Sequence, residues 1–342
     1  MAYTTINKPS DYFNTKLYTG NGTTDTAITG VGFQPDLSII KARDMAYDHN
    51  VMDAVRGSTK RVATDLTDAE STQAEMIKSF ASDGFNLGDN GGVNQNTKTY
   101  VAWNWKANSA GSSNTDGSIT STVSANTTSG FSIVSYTGNG TNNATFGHGL
   151  GVAPKIMIGK CTGNTYGWQV TGNAGSLVEN KYLILNGTTA IATSVNVTFD
   201  ANATTIKLQG GQGTNVSGQP HIAYCFAEKQ GFSKFGSYTG NGNADGTFVY
   251  LGFKPAFVII KRTDGTSDWV IQDNKRDGFN YNNHRLFANT NATEESTVRM
   301  DLLSNGFKCR DNDGNGNGFS YIYMAFAEAP LVGSNGVTAK AR

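Results

Sequence analysis

Charge is scarce and balanced in this chain. Its 342 residues carry 27 Lys and Arg against 27 Asp and Glu, so the formal net charge is zero. No basic stripe or arginine cluster stands out. Nucleic acid, which is bound by neutralising phosphates, is therefore disfavoured as a partner. No apolar run approaches the ~18 residues of a membrane span, and no membrane insertion is expected. The N-terminus lacks the basic-then-apolar pattern of a secretory leader, so Asn-x-Ser/Thr triplets such as that at Asn21 read as turns. The three cysteines, Cys161, Cys225 and Cys309, are odd in number and unrelated in placement, which leaves no disulfide framework and makes buried thiols the expectation. The four histidines, His49, His148, His221 and His284, fall at unrelated positions, and no HExxH, CxxC, GxSxG or phosphate-loop pattern occurs. The chain reads as a non-enzyme with no catalytic residue, metal site or cofactor. Helical periodicity is also nearly missing. Residues 67–80, with Ala69, Gln73 and Met76–Ile77, predict one short helix, and residues 292–303 echo it weakly.

What the chain has is repetition. Tyr-Thr-Gly-Asn-Gly begins at Tyr18, Tyr136 and Tyr238. Each copy continues with a proline, an apolar run and a lysine at fixed spacing: Pro35 to Lys41, Pro154 to Lys160, Pro255 to Lys261. Eight residues past each lysine stand His49, Trp168 and Trp269, and each copy closes on an aromatic run that ends at Trp105, Phe226 or Phe326. A fixed order of landmarks at near-constant spacing marks a triplication, and what differs between copies is where function is to be sought. The short β-branched runs bounded by Gly, Asn and Pro read as strands, and Asn-Gly in the pentapeptide reads as a tight hairpin turn. The expected fold is all-β: three tandem homologous β-sandwich domains of jelly-roll or lectin-like type, each able to bury its own core. The expected boundaries are residues 1–107 for the first repeat with an N-terminal extension, 131–230 for the second, 231–330 for the third and 331–342 for a tail. Residues 108–130, rich in Ser, Thr, Asn and Gly, read as a flexible linker, with Ile119 and Val123 able to supply one extended strand.

Three features invite a chemical reading. Asp53 and Asp273 occupy matching positions, each followed three residues on by Arg56 or Arg276, while copy two has Gly172 and Gly175 there. A glycan-cleaving or sugar-binding acid is one interpretation, and a structural ion pair is the favoured one. The run from Asp311 to Gly318 suggests a calcium loop, but no bidentate Glu follows, and the matching slots in the other copies are also Gly- and Asn-rich; a wide loop is expected. The tryptophans sit at shared landmarks and read as core. Aromatics in loops are the candidates for a ligand surface: Tyr47, Tyr166, Phe279 and Tyr281.

With Gly-Phe-x-Pro before the Ile-Lys run, the stretch at 231–242 and the closing Tyr-Met-Ala-Phe-Ala-Glu-Ala-Pro at 323–330, the chain resembles YTGNG-repeat virion proteins of marine bacteriophages, notably those of cyanobacteria. The resemblance spans nearly the whole chain. It implies a virion-associated, lectin-like β-sandwich protein of the tail-fibre or capsid-fibre kind, and it transfers no catalytic residue. The implied partners are other virion proteins of the tail or capsid and a host cell-surface polysaccharide, reached through multivalent display in a homo-oligomer such as a trimer. Two other readings stand beside host attachment: a purely structural capsid decoration or tail component, and a glycan-cleaving enzyme. Copy one departs from the pattern with His49 in place of Trp and Trp-Lys-Ala in place of Phe-Ala-Glu.

Overall fold

A computed structural model describes residues 3–333 except Gln212 and Asp313, together with residues 336, 338 and 339. The architecture is all-β, and every strand pair is antiparallel apart from one isolated parallel bridge. Each copy begins with an opening strand (Phe13–Thr19, Phe131–Thr137, Ser233–Thr239) and ends with a closing strand (Thr99–Trp105, Pro220–Phe226, Ser320–Pro330) that pairs with it along its length. The lysine-bearing strand (Leu37–Ala42, Ile156–Cys161, Phe253–Arg262) lies on the other side of the closing strand, followed by Asn50–Asp53, Gln169–Gly172 or Trp269–Asp273. A small sheet covers each large one. It is built from Thr26–Thr29, Gly84–Leu87 and Ile77–Ala81 in copy one and from Ala144–Gly147, Thr205–Leu208 and Asp200–Ala201 in copy two. In copy three the strand Glu295–Leu303 runs from the large sheet into the small one, so Phe248–Tyr250 and Gly306–Cys309 belong to one continuous sheet. Pro255 sits at a register shift in its strand, where the missing N–H breaks no regular ladder.

The repeated pentapeptide is a joint between the two sheets. Its tyrosine stacks on the residue opposite in the closing strand, with ring centres 5.0–5.1 Å apart: Tyr18 on Tyr100, Tyr136 on His221, Tyr238 on Tyr321. Each hydroxyl donates to a carbonyl of the loop before that strand, at Val93, Thr214 or Gly314. The first glycine lies so close to that loop that a Cβ on Gly20, Gly138 or Gly240 would meet a carbonyl oxygen at 2.3–2.4 Å. A buried asparagine, Asn94, Asn215 or Asn315, then accepts the backbone N–H of Asn21, Asn139 or Asn241. The expected two-residue hairpin is therefore absent, because the chain leaves the large sheet at this point and enters the small one.

Two other expectations fail. Residues 67–80 form no helix: they hold the short strand Ser71–Thr72 and the start of Ile77–Ala81, while Glu295–Leu303 takes the place of the weaker echo. Met76 and Ile77 are buried between sheets of copy one, so tertiary burial overrides a mildly helical pattern. Residues 108–130 form no loose linker, since Ser112–Asn114 and Ser121–Asn126 add two strands to the edge of the second large sheet. Val123 is buried in the second of them, as an extended strand allows, while Ile119 is buried outside both and bridges Phe146 of the small sheet.

The outer face of each large sheet packs on its own small sheet, as in the separate clusters around Tyr100 and Phe85 in copy one and around Tyr136 and Phe146 in copy two. The inner faces do not close within a copy. They meet in one apolar cluster that takes in Trp103, Trp105, Tyr224, Phe226, Met324 and Phe326. Phe326 contacts Trp105 and Phe226 at ring distances of 5.7 and 5.8 Å, so the three matching closing residues converge. Beside them lies an apolar cavity of about 60 Å³. The expectation of a self-contained core per copy thus holds for the outer faces of copies one and two, while that of copy three runs into the central cluster.

Polar bonds recur around the seams, each set in one rotational sense. Trp168 Nε1 donates to Ala63 O of copy one (2.7 Å), and Trp269 Nε1 to Ile184 O of copy two (2.9 Å). In the third seam His49 stands at that place, and its ring nitrogens make no hydrogen bond of ordinary geometry among the described residues. A second set joins Tyr224 Oη to Asp53 (2.8 Å) and Trp103 Nε1 to Asp273 (3.0 Å). Met324 and Gly172 occupy the matching positions in the last seam. A third set is complete: the backbone N–H of Glu70, Ile191 and Glu294 bonds the carbonyl of Thr162, Thr263 and Arg43. The repeated lysines, all fully buried, cap loop carbonyls near the same seams. Lys160 Nζ reaches four, at Thr67, Cys161, Asn164 and Tyr166.

Asp53 and Asp273 are the anchors of this system. Each accepts from the arginine three residues on, at 2.6 Å, and from two backbone N–H groups. Burial opposes ionisation of Asp273, yet the Arg276 guanidinium and the bond from Trp103 outweigh it and hold its carboxyl below the usual range. Trp103→Phe, which removes one donor to this carboxylate, is expected to cost about 1–3 kcal/mol, read by urea denaturation with a single transition for all three copies. A second expectation concerns pH. Burial, reinforced by Lys41, lowers the His49 pKa to about 3. The unfolded chain takes up this proton near its ordinary value of ~6.5, so the folded state loses stability as pH falls through that window. His49→Phe should flatten the acid limb of stability between those limits, and an unchanged limb in urea titrations would contradict it.

Candidate functional site on the third copy

The four loop aromatics do not gather at one place. Tyr47 and Tyr166 hold the same position in copies one and two, two residues ahead of His49 and Trp168, whereas Phe279 and Tyr281 follow the strand Trp269–Asp273. They therefore mark opposite ends of the equivalent strand. Tyr47 lies against Gly91 and Gly92, whose added Cβ atoms would stand 3.4 and 3.2 Å from its hydroxyl and ring. Tyr166 is half-buried and gives its carbonyl to Lys160. Phe279 and Tyr281 project into solvent, 81% and 54% exposed. Asn280 between them is fixed to the backbone of Leu302, both accepting its N–H and donating to its carbonyl.

That link places the pair beside the outward side of the third small sheet, where two further aromatics stand exposed. Phe248 (44%) and Tyr250 (50%) alternate with the buried Val249, as a strand with one covered face requires. Phe248 pairs in register with Lys308, and Lys308 with Asp301. Arg310 lies 5.7 Å from the Tyr281 ring, and its Nε bonds Asp301 at 2.7 Å. Lys308 pairs with Asp245 and holds that carboxyl below its usual range. Asp301 Oδ1 meets no donor. The Tyr3 phenol reaches Gly252 O, and burial together with its neighbour Tyr250 pushes it up to about 12. The result is a face of aromatic rings flanked by paired, nearly neutralised charges on a hydrogen-bonded sheet.

The other copies lack it. Phe248 and Tyr250 correspond by register to Ala27 and Thr29 in copy one and to Thr145 and Gly147 in copy two. Sequence reasoning missed Phe248 and Tyr250, although lining the three strands up on Ile28, Phe146 and Val249 exposes both. The remaining candidates are architectural. Asp53 and Asp273 are wholly buried beneath arginines and the neighbouring copy, which closes them to a substrate. In the suggested calcium loop Asp311 pairs with Arg299 and accepts from Gly314, Asn315 anchors the sheet joint, and Asp313 lies outside the described residues. Among the described residues no cluster of three His, Cys, Asp or Glu could hold a metal ion. All three cysteines are buried and free, as expected.

A face kept for something other than folding should be removable. Phe248→Ala with Tyr281→Ala is expected to shift unfolding free energy by no more than about 0.5 kcal/mol each, in contrast to Trp103→Phe. A loss of several times that in urea denaturation would show these rings to be structural.

No curated protein and no solved structure matches the chain. One family profile, described as a domain of unknown function, DUF7483, matches residues 8–330 and so takes in all three copies at once. The chain belongs to the DUF7483 family.

Proposed function

We propose that this chain is a bacteriophage virion protein, a fibre, spike or knob subunit of three lectin-like β-sandwich copies, whose third copy contacts a polysaccharide of the host surface. One observation carries the reading: among the described residues, copy three alone presents exposed aromatic rings on and beside a strand with ion-paired cations next to them. Such a surface suits a sugar. The C–H face of a pyranose covers an aromatic ring, while its hydroxyls bond a carboxylate and a guanidinium already held in place. Preorganised groups lose little freedom on binding, which favours weak ligands displayed many times. The phage setting rests on the motif resemblance, and the glycan-cleaving alternative is weakened by the enclosure of Asp53 and Asp273.

The test combines binding with location. Immobilised envelope polysaccharide of a host should capture the purified chain, and Phe248→Ala with Tyr281→Ala should weaken capture at least about tenfold. Antiserum labelling of intact particles should mark fibre or spike tips. Capture unaffected by the double variant would sink the assignment of this face. Label spread over the head would favour a purely structural decoration, and particles carrying no label would end the virion reading.

A further inference from the structure

A polar cleft of about 320 Å³ opens on the third copy, near the lower end of the roughly 300–1,000 Å³ typical of small-ligand sites. Arg262, Ser267, Asp268, Arg285, Asn312 and Phe319 line it. Its walls are fixed. The Arg262 guanidinium lies over the Phe319 ring, 3.3 Å from the centre, with Nε on Asp264 at 2.7 Å. Arg285 is nine-tenths buried, lies 4.7 Å from the Phe287 ring and bonds Glu295. Asn289 holds Asp268, and the Ser267 N–H is tied to Thr188 of copy two.

Comparison by register shows how the cleft arises. Ser267 stands where copies one and two have Tyr47 and Tyr166, on loops of equal length. In copy one the Tyr47 hydroxyl lies against Gly91, whose counterpart in copy three is Asn312. Arg262 replaces Ala42 and Cys161, and Phe319 replaces Lys98 and Gln219. Copy three has a serine in place of the tyrosine and gains an arginine stacked on a phenylalanine. The fold requires neither change, since two copies form without them.

We propose that this cleft binds the terminal residue of an acidic polysaccharide, a sugar bearing a carboxylate. The carboxylate takes the guanidinium edge of Arg262 that Asp264 leaves open, a geometry arginine favours over any single-point donor. Asp268 and the Ser267 hydroxyl meet the ring hydroxyls. The site is distinct from the aromatic face and does not depend on the particle assignment.

Saturation-transfer NMR on the full chain, with galacturonate as probe and galactose as the neutral control, tests it. Galacturonate should respond and galactose should not. Ser267→Tyr, which restores the ring of the other copies, and Arg262→Gln should each weaken binding at least about tenfold, while Phe248→Ala with Tyr281→Ala leaves it unchanged. Thermal melting checks that each variant folds; if Ser267→Tyr does not, Arg262→Gln decides alone. Silence from galacturonate at ~10 mM, an equal galactose response, or binding that survives both cleft variants would overturn the proposal.

Discussion

The inner faces of the three large sheets have no cover except one another. Strands that are apolar on both sides must be buried on both sides, and a single copy offers only one small sheet to do it. Everything near the centre follows from that requirement. The closing strands turn Trp103, Trp105, Tyr224, Phe226 and Phe326 inward, the tryptophans at the strand starts reach across to the next copy, and the buried aspartates accept from a neighbour's ring. Arg276 keeps the Asp273 carboxylate charged in an apolar setting, where an unpaired charge is prohibitive, and Arg56 pairs with Asp53 in the same geometry.

The seams also show how much redundancy the closure contains. The seam between copies two and one keeps both the tryptophan bond and the aspartate bond. Of those two, the seam between one and three keeps the aspartate bond, with His49 in the place of the indole. The seam between three and two keeps the tryptophan bond. There the aspartate and its donor are missing together, with Gly172 and Met324 at the two matching positions. Loss of both partners is tolerable where loss of one is costly, because no buried charge is left without a bond. The glycine in copy two and the methionine in copy three are one change seen from two sides.

Much of this was legible in the sequence, for reasons that particular residues make plain. The Pro-to-Lys spacing and the short aromatic closing runs specified strands, because apolar segments of that length bounded by turn residues suit a strand buried on both faces. The Asp–Arg pair read correctly as structural because copy two lacks it and still folds. The seam partners were not legible: nothing in linear order says that Asp53 meets Tyr224, since that contact depends on the rotation of one copy against the next. The helix expected at residues 67–80 failed because Met76 and Ile77 answer to the sheet above them and not to their neighbours in sequence. Of the four loop aromatics, Phe279 and Tyr281 lie on the candidate face, while Tyr47 stands where copy three has an open cleft. Copy-by-copy register, which requires the strand ends, was the missing tool for Phe248, Tyr250 and Ser267.

Joining three copies in one polypeptide has a consequence for how the body persists. A ring of three separate chains lives under mass action and comes apart as it is diluted. Here the neighbours are tethered, two of them by only a few residues around Gln230, so the closed form survives at any concentration at which the chain itself exists. A subunit present in few copies, and released into a large volume, keeps its shape without a reservoir of partners.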